Sequence, residues 1–253
     1  MTARAGYRYS DDELEMYRLG ARTVVRRRSS GHVFEVASEA LPHNLTWAVA
    51  TPRLPTPLLR LHVTTLLLGV CGSVALAGPA AATVTARGIH LRDWCVLAIY
   101  IVVQTVLHEG GHLVALRVNG HRPDKIGVKL NFAVFPAVYV RMNAVHLLHR
   151  NDKVAVHTSG LLVNGVVNLV VLGMCLRGGA PSLAFAAVVY TPGLLANSLP
   201  LLRSDGHKTL LAALGINERK RMKDNATVVR VLHLASWALA VVSTAVMLAH
   251  LLP

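Results

Sequence analysis

Charge is scarce in this chain. Only 15% of its 253 residues are charged, against 53% hydrophobic, and the mean hydropathy is +0.46. That excludes an ordinary soluble domain of this size. The apolar residues are also spread too evenly for one buried core, so several membrane spans are expected. Acids are scarcest: 13 Asp and Glu face 26 Lys and Arg, a net charge of +13. In a soluble chain this balance would point to nucleic acid. In a multispan chain it marks cytoplasmic loops, and no nucleic-acid partner is expected. Cysteine is nearly absent. Cys71, Cys95 and Cys175 each sit in an apolar run without paired spacing, which excludes a disulfide frame and a thiolate zinc site. No apolar stretch with a small-residue cleavage site opens the chain, so no signal peptide is expected. No transporter-like internal repeat and no low-complexity tract is present.

What the chain does have is Val106–Leu116, VLHEGGHLVAL, inside an apolar run that begins near Trp94. On a helix, His108 and His112 leave the same face one turn apart, and two imidazoles so placed can share a zinc ion. Glu109 directly follows the first histidine and can reach a water on the metal's open side. Inside a bilayer each ionisable group costs roughly 2.5–3.5 kcal/mol on insertion scales, so three together need a partner or a job. Gly110 and Gly111 leave bare backbone where a substrate or a second helix can approach. The bland alternative is a helix end whose histidines snorkel to the interface.

The rest of the chain reads as an all-α multispan membrane protein: about five transmembrane helices with a small membrane-associated β-hairpin. Met1–Arg60 is polar, with proline at 42, 52, 55 and 57, and reads as a cytoplasmic segment and linker. Ser10–Glu13 suits the cap of a short helix running to about Thr23. Arg26–Arg28 suits anionic headgroups or, preferably, a solvated tail, and Val33–Val36 a short strand. The polytopic domain follows at 61–253. Its spans are expected at Leu61–Val84, Trp94–Val118, Val154–Leu176, Leu183–Leu202 and Val228–Leu252. Gly78-Pro79 should kink or end the first, Pro192-Gly193 and Pro200 break the fourth, and Gly178–Pro181 is a tight turn. In Pro123–Asn143, Ile126, Val128, Leu130, Phe132 and Val134 alternate with small or polar residues, which is strand period. Pro136 interrupts it before Val138–Val140. Arg203–Thr227 reads as a charged loop.

Basic residues test the layout. Met1–Arg60 carries nine, Arg117–Lys153 seven and Arg203–Arg230 seven; Arg87, Arg92 and Arg177 are the remaining three. With five spans all three rich segments fall on one side, which should be the cytoplasm. The ends of the second and fourth spans then share that side.

Catalytic zinc usually takes three protein ligands and keeps one position for water. Asp205, just beyond the fourth span, is the first candidate for the third. His121, His146, His149, His157 and His207 are rivals on the same side, His207 the strongest.

Together these residues resemble the site-2 protease family of intramembrane zinc metalloproteases. HEGGH at His108–His112 matches its HExxH helix, and Lys125–Val140 its membrane-associated β-element. Ser159–Asn164 matches a small-Gly-Pro-x-x-Asn segment, with Leu161 where proline is common. Asn197–Gly206 matches an Asn-Pro…Leu-Asp-Gly segment, with Ser198 and Ser204 departing from it. The likeness covers about Trp94–Thr209. No PDZ-like insert separates the spans, and the compact form is similar to bacterial relatives associated with maturation of ribosomally made peptides. The resemblance implies zinc held by His108, His112 and Asp205, Glu109 as general base, and Asn164 and Asn197 near the substrate or its oxyanion. Asn164 has an alternative as interhelical glue. It also implies a bilayer-embedded enzyme that cuts a transmembrane or leader-bearing peptide. Two other readings remain: a homologue that binds a peptide without cutting it, and a metal transporter, which would need polar groups along several spans.

Overall fold

A computed structural model describes residues 6–131, 135–201, 204–216, 218 and 225–251. The chain is mostly helical and divides into two units. One holds residues 1–66 and 98–164, the other 67–97 and 165–253, with the divisions inside three long helices.

The polar N-terminus is a folded sheet, which corrects the expected helix and solvated tail and contains the strand expected at Val33–Val36. β1 (Tyr7–Ser10), β2 (Leu14–Leu19), β3 (Arg22–Arg27), β4 (Val33–Ala37) and β5 (Ala48–Val49) form one antiparallel sheet in the order β4-β3-β2-β1-β5. The supposed helix cap is a hairpin turn: the Asp11 carboxylate accepts from the backbone N–H of Glu13 at 2.8 Å and of Leu14 at 2.7 Å. An aspartate spent this way closes an Asx-type turn instead of starting a helix. Gly20, at φ 64°, makes the two-residue turn into β3. Tyr17 and Val24 then pack on Leu147.

α1 (Thr56–Arg87), α2 (Leu91–Val118) and α3 (Arg150–Gly178) are long and apolar enough to cross a membrane. α1 runs through Pro79 to Arg87, so proline does not end it there. Gly179, at φ 68°, and Pro181 form the expected turn into α4 (Pro181–Ser198), which continues through Pro192. The supposed charged loop contains α5 (Asp205–Leu214), capped by the Ser204 hydroxyl accepting from His207 N–H and closed by left-handed Gly215. α6 (Thr227–Leu251) follows. Within the second unit, Gly69 and Gly165 bring α1 and α3 into backbone contact: a Cβ on Gly69 would lie 2.8 Å from the Gly165 carbonyl carbon. Asn168 donates to Thr191 at 3.0 Å, so it serves helix packing.

The alternating stretch is a hairpin of β6 (Lys125–Asn131) and β7 (Phe135–Arg141). Phe132 and Val134 lie outside the described residues. Pro136 stands inside β7 and does not interrupt it. Val140 N–H points away from β6, since it donates elsewhere. By the two-residue period, Pro136 shares that outward register, where a missing N–H costs no ladder bond. A Cβ on Gly127 would lie 2.9 Å from the ring of its cross-strand partner Tyr139.

Candidate metal site

The faces of α2 explain how its histidines are placed. Every fourth residue from Tyr100 falls on one stripe; Tyr100, Gln104, His112 and Leu116 are buried, and His108 lies between them. The opposite stripe, Val102, Val106, Val114 and Val118, is exposed and apolar. Gly110 belongs to that outer stripe: a Cβ there would meet nothing within 4 Å. Gly111 looks the other way: its Cβ would lie 2.8 Å from the Ser159 carbonyl oxygen on α3. Glycine here lets α3 close on the histidines.

Gly160, the next residue of α3, makes the cradle. A Cβ there would stand 2.7 Å from Nε2 of both His108 and His112. Those two Nε2 atoms are 3.1 Å apart, with the rings edge to face at 4.7 Å between centroids. His112 Nδ1 lies 2.7 Å from the Val156 carbonyl oxygen. A carbonyl only accepts, so Nδ1 carries the proton and Nε2 the lone pair. The Asn164 amide nitrogen lies 3.1 Å from His108 Nδ1; turning that amide by 180° exchanges its nitrogen and oxygen, and the oxygen then accepts from Nδ1–H. With the amide so turned, both Nε2 lone pairs face one point, an arrangement that suits a cation; with the amide nitrogen toward the ring, His108 Nε2–H donates to His112 Nε2 instead. Metal-binding histidines are commonly oriented in this way by outer partners. The donors therefore fit zinc. Asn164 thus touches the outer nitrogen of a histidine ring.

Glu109 accepts from Val140 N–H at 2.9 Å, tying the carboxylate to β7. The N-terminal sheet and the stretch leading from it into α1 steady the same region. Arg53 donates to the Val118 carbonyl oxygen at the end of α2 at 2.8 Å, and Asp152, at the start of α3, accepts from the N–H of Arg53 and of Leu54. Arg26 reaches Asp124 at 3.2 Å, just before β6.

In the second unit Asp205 opens α5 and is 6% exposed. Asn197 brackets it: the amide donates to the carboxylate at 3.4 Å and accepts from Asp205 N–H at 3.2 Å. Lys208 pairs with it at 2.8 Å. Asn197 thus holds both the carboxylate and the backbone N–H of Asp205. Gly206 is required because a Cβ would collide with the Ser198 carbonyl oxygen. Among the rivals, His121 contacts Arg8 at 3.0 Å, His149 Nδ1 accepts from Asn151 N–H, and His207 lies beside Glu218 and His233. Sequence reasoning gave no part to Val156, Val140 or Arg53. Two of these act through backbone groups, which leave no mark on residue type. Gly160 was visible only as one letter of a motif.

The chain is 40% identical over 149 residues to a protein of Bacillus subtilis (strain 168) named "Putative peptide zinc metalloprotease protein YydH". The match covers 58% of this chain and 59% of the relative, so the chain spans about three fifths of that protein's length. No family model matches, and no solved structure matches.

Proposed function

We propose that this chain is an intramembrane zinc metalloendopeptidase of the site-2 protease type, cutting a transmembrane or leader-bearing peptide near the cytoplasmic face. The observation that carries the reading is the pair of facing Nε2 atoms under Gly160, with Glu109 beside them on the same helix. The similarity to a protein named as a peptide zinc metalloprotease supports it.

His108 and His112 would hold the zinc, with Asp205 as third ligand, and Asn197 and Lys208 would fix that carboxylate. Bound zinc supplies Lewis acidity, lowering the pKa of a water toward about 7 and polarising a scissile carbonyl. Glu109 takes a proton from the attacking water and delivers it to the leaving amine. Its bond to Val140 holds the carboxylate in register with the hairpin. Asn164 keeps the His108 ring turned with Nε2 inward.

A helical substrate hides its peptide bonds and must be drawn out straight. The outer edge of β6 offers a template: no third strand pairs with it among the described residues, and Ile126 and Val128 are exposed. Strand addition there supplies main-chain bonds without demanding one side-chain sequence. In this reading α4 and α6 also cross the bilayer, giving five spans with the basic segments on the cytoplasmic side of a cell membrane.

Glu109→Gln tests the reading. Purified in detergent, it should keep the parent's zinc content and lose cleavage of a membrane-tethered peptide by at least about 10²-fold, the scale of general acid–base catalysis. Cleavage at the parental rate would remove Glu109 from the chemistry. Peptides that accumulate in cells carrying this variant would identify the substrate.

A further inference from the structure

The second unit contains another convergence of ligand side chains. His207 on α5, Glu218 beyond it and His233 on α6 each turn a donor atom inward, all within 4.8 Å of one another. Glu218 reaches His233 Nε2 at 3.1 Å with one oxygen and lies 3.6 Å from His207 Nε2 with the other. The two rings stand edge to face, 79° apart, with centroids at 5.7 Å. That is nearly the disposition of His108 and His112, at 85° and 4.7 Å. Donors bonded to one tetrahedral zinc at about 2.0–2.1 Å stand about 3.3 Å apart; the separations of 3.1 and 3.6 Å lie on either side of that figure.

His207 decides the matter. It is 2% exposed, and neither ring nitrogen has a hydrogen-bond partner among the described residues. Buried polar atoms are nearly always satisfied, and an orphan asks for an explanation such as an ion. The carboxylate alone does not supply one, since 3.6 Å is beyond hydrogen-bond range. Glu218 and His233 remain partly open to solvent, with side chains 29% and 13% exposed, which leaves an ion a way in.

We propose that His207, Glu218 and His233 form a second metal site, separate from the HEGGH pair, that takes a zinc-type divalent ion. Two imidazoles and a carboxylate suit such an ion. Bound there, it clips α5, the helix that Asp205 opens, to the first turns of α6. The site does not depend on the proteolytic reading.

Zinc stoichiometry of the full chain in detergent, by elemental analysis after dialysis against buffered zinc, is the test. The parent should hold two ions, His112→Ala one, His233→Ala one and the double variant none. Glu218→Gln, which retains the size of the side chain and a contact to His233, should lose the same ion as His233→Ala. Hydrogen exchange in the His112→Ala background should slow in the first turns of α6 when zinc is added. The proposal is overturned if the parent and His233→Ala hold equal zinc, or if the double variant holds as much as His112→Ala. A parent with one ion that disappears in His233→Ala but survives in His112→Ala would instead support this site and sink the HEGGH one.

Discussion

His108 and His112 belong to one helix, four residues apart, and everything around them is arranged to aim them. Val156 and Asn164 each engage an outer ring nitrogen, and Gly160 gives way to both inner ones. His207 and His233 come from two helices, 26 residues apart in sequence, and share one carboxylate. Among the described residues, no hydrogen-bond partner orients the His207 ring. A pair on one helix gets its spacing from the backbone, so a short motif suffices. A pair on two helices gets it from packing, which no motif records. The difference also orders the two sites in strength, since ligands held by outer partners lose less freedom on binding. The first should bind metal more tightly than the second.

The largest expected effect comes from filling the cradle. Gly160→Ala puts a methyl 2.7 Å from both inner nitrogens, on rings already held at their outer nitrogens. The first site should lose zinc affinity by more than about 100-fold, and cleavage with it, while zinc at the second site stays. Gly110→Ala, two residues from either histidine but on the outer stripe, should leave both ions in place. It should raise the melting temperature slightly, since alanine is worth about 1 kcal/mol over glycine within a helix. Equal zinc in Gly160→Ala and the parent would break the comparison, because the cradle would then not define the site.

Removing an orienting partner should cost less. Asn164→Ala leaves His108 in place but frees its ring, and zinc affinity at the first site should fall about 10–100-fold. Asn164→Asp retains an acceptor for Nδ1–H and should recover most of that loss. Competition with a chromophoric chelator reads both. If alanine and aspartate bind zinc alike, the hydrogen bond to the ring is incidental, and Asn164 is packing.

The sheet at the N-terminus should matter less again. Asp152 is 3% exposed and accepts from two backbone N–H groups, of Arg53 and Leu54. Asp152→Ala removes both bonds, at about 0.5–1.5 kcal/mol for each of these part-exposed donors. Hydrogen exchange at Arg53 and Leu54 should speed up before any change at α2, and zinc at both sites should persist. Loss of zinc from the first site would mean that the sheet sets the histidine geometry as well as bracing it.

These cases also mark where sequence reasoning works. Helix period gave the long apolar helices and the shared face of His108 and His112, because a 3.6-residue repeat writes itself into residue type. Strand period gave β6 and β7 for the same reason. Of the N-terminal sheet only the strand at Val33–Val36 was legible; the others stayed hidden because they are short and rich in arginine. The first turn of the sheet begins with an aspartate that serves a helix cap equally well. α5 was lost inside a charged loop, although Ser204, Gly215 and the ten residues between them carry both end signals. The 28-residue α2 illustrates the limit at Gly110 and Gly111: adjacent letters, opposite faces, and only the register tells which one meets α3.

A histidine outside both pairs gives the smallest effect and the cleanest control. His121 is buried, and Arg8 lies 3.0 Å from its Nε2. A guanidinium only donates, so that nitrogen must hold a lone pair and the ring must be neutral. Burial pushes the His121 pKa below its ordinary value; Arg8, Arg26 and Arg53 add to this, and Glu15 opposes it. His146 and His149 are shifted the same way, chiefly by burial. The folded values therefore lie below the unfolded value of about 6.5. Unfolded chains take up these protons first as pH falls, so stability is complete above about pH 6.5 and is lost as pH drops toward the folded values. Amide protection in β1–β3 should be lower at pH 5.5 than at pH 7.5, with or without zinc, because no metal is involved. The pH response should shrink in His121→Asn, which keeps a neutral acceptor and cannot charge. Protection that is equal at the two pH values, or that returns on adding zinc, would mean that His121 is not held neutral by Arg8, and the line between titrating and metal-binding histidines would have to be redrawn.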